Sequence, residues 1–188
     1  NRRTNVQVYQ RIQNPYMPQG TANLTNTPTL YAPGELGCAF YDPNTDRAHA
    51  RVLADSGATS ASAAGIIAVG QLAFWKNRQA AIVTNNKQFA QSGPTGAIND
   101  VAGVFALAVT AGYYCDIIIQ GRSVPVLSDG TALIGAQATA DTTANVARVV
   151  YTTGVNTAPV SQVIGIMRSS TVTNNLVPVD VNLGSFIA

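Results

Sequence analysis

The chain has 188 residues, enough for one sizeable domain and short for two. Charged residues make up only 11%, against roughly a quarter in an average soluble protein, and a net charge of +2 makes no case for nucleic acid. No segment approaches the ~20 consecutive apolar residues that cross a bilayer, none reads as a signal peptide, and Cys38 and Cys115 show no metal-ligand spacing. Charge keeps dissolved copies of a protein apart. So neutral a surface fits either a stable extracellular domain or a protein whose exterior is taken up by contacts with other subunits, and the second reading is the sharper.

Residues 1–33 read as an extended N-terminal arm, with residues 34–188 as the all-β domain. The arm carries Arg2, Arg3 and Arg11, no acidic residue, and enough prolines to forbid any long element. Tyr9, Ile12, Tyr16 and Leu24 are spaced apolar anchors, more than a solvated tail needs, so the arm is expected to order against a neighbouring subunit. Leu36, Cys38 and Phe40 alternate as a short strand. Asp42-Pro43-Asn44-Thr45 is a turn signal, and residues 48–53 return as a second strand.

Residues 55–65 read as a polar loop, and residues 66–75 resume apolar sequence around Gly70. A turn at Lys76-Asn77-Arg78 leads to a strand over 80–84, and 85–99 is a second polar loop. The central unit, 100–127, is expected to be a three-stranded meander: an apolar strand over 101–109, a turn at 110–112, a strand to Gln120, a turn at Gly121, and a return over 122–127. Pro125 lacks a ladder donor, which puts the third strand at an edge. In the second strand Tyr113, Cys115, Ile117 and Ile119 share the apolar face, where a reduced cysteine behaves as a small hydrophobe, while Asp116 and Gln120 point the other way.

Strands are predicted over 132–138, 146–152, 160–167 and 177–183, separated by turn residues. Ala102-Gly103-Val104 is echoed by Ile164-Gly165-Ile166, a weak internal repeat of two hairpins. The pattern as a whole predicts a small β-barrel or β-sandwich of about ten short antiparallel strands.

Chemistry is sparse. His49 is the sole histidine, alternating with Arg47 and Arg51 on one strand face, and is expected to be exposed. Cys38 with His49 would make a thiolate pair, yet no third residue is placed to orient it. The chain carries no nucleophile elbow, zinc-protease signature, P-loop or dinucleotide fingerprint. Asp42 and Asp46 flank a turn, where an Asx role is favoured over a calcium site. Lys76, Arg78 and Lys87 read as a solvated hairpin tip, the alternative being contact with an acidic partner. The expectation is a protein that is not an enzyme and has no cofactor.

Four segments carry a family resemblance: Gly70-Gln71-Leu72-Ala73-Phe74-Trp75, Ala81-Ile82-Val83-Thr84, Val163-Ile164-Gly165-Ile166-Met167, and Val177-Pro178-Val179-Asp180-Val181-Asn182-Leu183. Together with Val109-Thr110-Ala111-Gly112-Tyr113 they resemble the head decoration, or cement, proteins of tailed bacteriophages. The similarity runs over 34–183; the arm and the meander are additional to it. The resemblance implies a barrel or sandwich on the outer surface of the virion capsid, binding the major capsid protein between capsomers as a homo-oligomer, with a trimer favoured. Membrane and direct nucleic-acid contacts are not expected. Arg2, Arg3 and Arg11 would then meet acidic capsid surface, with Tyr9, Ile12, Tyr16 and Leu24 as anchors. The rival readings are a receptor- or glycan-binding module, for which Trp75, Tyr113 and Tyr114 are the candidate aromatic platform, and a jelly-roll coat protein.

Overall fold

The structure, a computed structural model, describes residues 39–55, 66–86, 100–110, 114–141, 149–152 and 162–183. Among them there are twelve strands and no helix. They are β1 (Ala39–Asp42), β2 (Arg47–Ala54), β3 (Ile66–Ile67), β4 (Leu72–Asn77), β5 (Ile82–Thr84), β6 (Val101–Phe105), β7 (Val109–Thr110), β8 (Tyr114–Leu127), β9 (Gln137–Ala140), β10 (Val149–Thr152), β11 (Val163–Met167) and β12 (Leu176–Asn182). The all-β expectation holds; the predicted arm and the domain's first residues lie outside the described residues.

Five strands close on themselves in the order β2-β5-β4-β6-β8 and back to β2. Around a ring of five, strand direction cannot reverse at every step, so at least one neighbouring pair must run parallel. That pair is β2–β5, joined at Leu53↔Ile82 and Ala54↔Val83. The purely antiparallel expectation fails here for a reason of parity. The remaining large strands extend outward from β8 in the order β12-β11-β9-β10, β1 lies on β2, and β3 pairs with β7 separately.

Two cores follow. Ala50, Val52, Ala54, Ala73, Trp75, Ala81, Val83, Ala102, Phe105, Ile117 and Ile119 come from all five ring strands or their ends and fill the barrel, with Ile67 and Val109 of β3 and β7. Leu72, Phe74, Val104 and Ile118 point the other way and meet Val124, Val126, Ile164, Met167, Val177, Val179 and Val181 of the outer sheet. Alanine is a poor strand former. It recurs in the ring because a barrel of few strands has a narrow bore, which larger side chains would overfill.

The long strand β8 serves both cores. Ile117, Ile118 and Ile119 are successive and all buried, so both faces of the strand are covered. The expected turn at Gly121 does not occur: the chain runs straight on, and β8 pairs with β2 and β6 through its first half and with β12 through its second. Gly121 has another task. A Cβ there would come within 2.7 Å of the Arg47 Cγ, so the missing side chain makes room for the arginine stem. Just beyond it, Arg122 and Ser123 stand opposite the single residue Asp180, a bulge in which Ser123 takes φ 48° and donates its N–H to the Asp180 carboxylate at 3.0 Å. The second half of β8 pairs with β12, Pro125 facing Pro178; the edge position expected for it is not kept, since β8 lies between β6 and β12 and its Leu127 N–H donates to the Gly70 carbonyl at 2.7 Å on the other side. Residues 132–136 form a tight turn, Ala136 N–H donating to the Leu133 carbonyl at 3.0 Å, so the strand predicted over 132–138 starts only at Gln137.

Candidate functional site: a cavity beside the first hairpin

The site is built on the β1–β2 hairpin. Asp42 accepts hydrogen bonds from the Asn44 N–H at 3.0 Å and the Thr45 hydroxyl at 2.8 Å, and Asp46 closes the turn with φ 53°. The Asx role expected of Asp42 is therefore observed. That turn sets the register Phe40↔His49 and Asp42↔Arg47. The Phe40 and His49 rings consequently stack, centroids 5.5 Å apart and planes 16° from parallel.

The other edge of β2 brings in β8, with Arg51 opposite Asp116. Their bond is bidentate, Arg51 Nε to Asp116 Oδ1 at 2.8 Å and Nη2 to Oδ2 at 2.9 Å, and both side chains are about nine-tenths buried. The Arg51 guanidinium carbon also lies 5.7 Å from the Phe40 ring centroid. One aromatic ring is thus flanked by an imidazole and a neutralised guanidinium.

Against this patch lies a cavity of about 70 Å³, walled by Phe40, Asp42 and His49 on one side and by residues 106–109 and 114–116 on the other. His49 is only 9% exposed, and its Nε2 is buried without a hydrogen-bond partner. Burial holds its pKa below the ordinary 6.5; Asp116 and Asp42 pull the other way, and Arg47 reinforces the burial. The imidazole is neutral at pH 7. Burial, with help from Asp116, pushes the Cys115 thiol far above its usual range, so it stays protonated. A neutral imidazole and a protonated thiol lining one cavity are poorly equipped for nucleophilic chemistry.

The sequence had His49 on the same strand face as Arg47 and Arg51, which is where it lies, but exposed, which it is not. Phe40 and the 106–109 segment cover it. Cys115 packs against the barrel core as expected, half-buried and with a free thiol; Cys38 lies outside the described residues. Lys76 forms an ion pair with Asp55 at 2.6 Å, and the Arg78 guanidinium stands 5.7 Å from the Trp75 ring. Trp75 itself is 4% exposed, which removes it from the glycan platform the rival reading needs. Lys87 and Tyr113 lie outside the described residues, as do all the arm candidates: Arg2, Arg3, Tyr9, Arg11, Ile12, Tyr16 and Leu24. Among the described residues no three His, Cys, Asp or Glu side chains are grouped to hold a metal.

Phe40, Asp116 and residues 106–109 were not singled out from sequence. Counting outward from the turn at 43–46 pairs Phe40 with His49, so that contact was available in principle. The Arg51–Asp116 bond spans 65 positions and left no local sign. Searches against protein-family models, curated proteins and solved structures find no match to this chain.

Proposed function

We propose that this chain is a virion structural protein, a decoration protein that binds the outer capsid surface between capsomers as a small homo-oligomer. The observation that supports this best is the disposal of its few charges. Arg51 with Asp116, Lys76 with Asp55, and Arg168 with Asp180 are neutralised within the chain. These three pairs, in a chain only 11% charged, reduce repulsion between copies or toward a partner, as suits a protein that acts by covering area.

A second feature supports the same reading. The turn at 132–136 exposes Leu133 (42%) and Ile134 (63%), the latter the most exposed large aliphatic among the described residues. Hydrogen bonds pin that turn: Ile134 N–H to Ser170 Oγ at 3.0 Å and Gly135 N–H to the Met167 carbonyl at 2.9 Å. Apolar side chains held rigidly in water make efficient contacts, since little freedom is lost on binding. Burying such surface contributes ~25 cal/mol per Å² before association costs, and many copies on one shell act together. In this reading Arg2, Arg3 and Arg11 contact acidic surface of the major capsid protein.

The test is co-sedimentation of the full chain with heads assembled from its cognate major capsid protein, alongside light-scattering mass of the chain alone. Saturable binding by a trimer or other small oligomer, weakened at least tenfold by Ile134→Asp or by joint Tyr9→Ala and Tyr16→Ala, is the expected result. Assembly of the isolated chain into closed particles would make it a coat protein, and a monomer indifferent to heads would end the proposal.

A further inference from the structure

We propose that His49 is an acid-operated latch on the first hairpin: when its ring takes a second proton, β1 lifts away from β2 about the turn at Asp42, while both cores stay closed. The proposal stands apart from the capsid reading and does not depend on it.

The ring is defined by what it lacks. His49 is 9% exposed, and its Nε2 is shut off from solvent without a hydrogen-bond partner. A neutral imidazole can keep its one proton on Nδ1 and leave Nε2 bare. An imidazolium carries a proton on both nitrogens, so Nε2 would become a buried cationic donor with nothing to receive it.

The charged neighbours do not remove that cost. Arg47 and Arg51 flank the histidine on β2, Asp42 stands on β1, and Asp116 on β8, with Tyr114 and Cys115 the other titratable side chains at the cavity. Residues 106–109 bring none. Arg51 engages both oxygens of Asp116, and the Asn44 N–H and Thr45 hydroxyl engage those of Asp42. Arg47 adds positive charge and has a buried Nε without a partner. Burial is the largest influence on the ring and keeps it neutral, Asp116 and Asp42 acting against it and Arg47 with it.

A second proton therefore requires Nε2 to reach water, and one of the two covers has to move. Residues 106–109 are fastened at both ends. Phe105 and Val109 belong to the barrel core, the Phe105 N–H donates to the Gln71 carbonyl at 2.9 Å, and Val109 pairs with Ile67. By contrast, β1 is fastened along one side. Among the described residues it pairs with β2 alone, and none of Ala39–Asp42 belongs to either core. Its hold over His49 is the stacked Phe40 ring.

The other end of β1 is better secured. The Tyr41 hydroxyl donates to Asp46. Burial raises the Asp42 carboxyl, yet the Thr45 hydroxyl and the Asn44 N–H bring it below its ordinary 3.8. The turn thus survives in mild acid and serves as the hinge. Residues 1–38 join the domain through β1, so opening moves their point of attachment from Ala39 to that turn. With β1 open the histidine regains its ordinary 6.5, above its value in the closed form. Opening therefore grows as pH falls through 6.5 and levels off below the closed-form value.

The test is amide hydrogen exchange of the full chain at pH 7.5 and 5.5, each amide corrected for its intrinsic rate, with titration of the sole histidine from its ring-proton shifts. Opening read at the protected amides of β1 should rise about tenfold between those pH values. The amides of Ile117, Ile118 and Ile119 should stay at least about a hundredfold better protected at both, which separates lifting of β1 from unfolding. His49→Phe, which retains an aromatic partner for Phe40, should abolish the rise. Phe40→Ala should move the His49 titration up toward 6.5 in a chain whose cores remain protected, and it decides the matter should His49→Phe fail to fold. The latch is overturned by β1 amides that do not respond to pH, or that exchange no faster than the core. A rise confined to residues 106–108, or a His49 titration unmoved in Phe40→Ala, would overturn it equally.

Discussion

The barrel interior and the outer core are made of different side chains. Inside the ring, alanines at 50, 54, 73, 81 and 102 alternate with a few larger residues such as Phe105 and Trp75. Between the ring and the outer sheet half the buried residues are valine, with Ile164, Met167, Leu72 and Phe74, and the only alanines among them are Ala138 and Ala140. Both regions are buried and apolar and both are built from strands, so hydrophobicity and propensity do not separate them. Curvature does. A closed five-strand ring converges on its axis and leaves each inward residue a small sector, whereas two layers facing each other leave room for branched side chains. One core should therefore fail when enlarged and the other when truncated.

The largest expected effect lies where backbone meets backbone. A Cβ at Gly165 would overlap the carbonyl oxygen of Asp180 on the neighbouring strand, so Gly165→Val should cost about 4 kcal/mol or more and detach β11 from β12. Gly103 stands in the same relation to the Ile118 carbonyl, which an added Cβ would approach to 2.8 Å. The repeat between residues 102–104 and 164–166 thus has a physical counterpart: both glycines admit an adjacent strand. Next, Met167→Ala in the outer core should cost about 3 kcal/mol, while Met167→Leu, which conserves volume, should cost less than about 1.5 kcal/mol. In the barrel the order reverses. Ala50→Leu adds apolar area yet should destabilise by about 2 kcal/mol. Urea midpoints for these four variants test the contrast, and a stabilising Ala50→Leu would break it.

The smallest effect belongs to the face of β2 that neither core covers. His49 has its pKa lowered by burial in the folded chain, against an ordinary 6.5 when unfolded. The unfolded state therefore binds more protons in the interval below 6.5, and stability rises with pH across that interval. Acidification from pH 7 should lower the melting temperature as pH falls through 6.5, with a slope of at most ~1.4 kcal/mol per pH unit, flattening below the folded-state value. Asp180 is held below its ordinary 3.8 mainly by Arg168, with the Ser123 N–H assisting. Its contribution fades only in stronger acid, as pH drops below 3.8 toward the folded-state value. His49→Phe should remove the first phase and leave the second, a separation that thermal scans at pH 7, 5.5 and 3.5 would check.

Much of this architecture could be read from residue order, and the failures have identifiable causes. The first hairpin was legible because Asp42, Asn44 and Thr45 make a local turn with its own hydrogen bonds. The final strand was legible because Val177, Val179 and Val181 alternate and are all buried. Gly121 misled, since a glycine that clears space for a distant arginine stem looks the same in sequence as one that turns the chain. Leu133 and Ile134 also misled: aliphatic residues usually seek cover, and here a turn pinned to Ser170 holds them out. The parallel β2–β5 pair needed the ring to be known first. At the cavity, His49 was legible as a residue and not as a site, because its burial depends on Phe40 through register and on the 106–109 segment, which closes over from far along the chain.

The sharing of β8 between two cores has a further consequence. Its backbone is bonded to β2, β6 and β12, and its side chains are divided between the barrel and the outer layer. Neither layer can open without stripping one face of the same strand. The two layers therefore constitute one foldon, and the amides of Ile117, Ile118 and Ile119 should exchange with solvent only through complete unfolding, while those at the β10 edge exchange through local opening. Wired in this way, the described strands offer a protease no form in which one core stands open while the other stays closed.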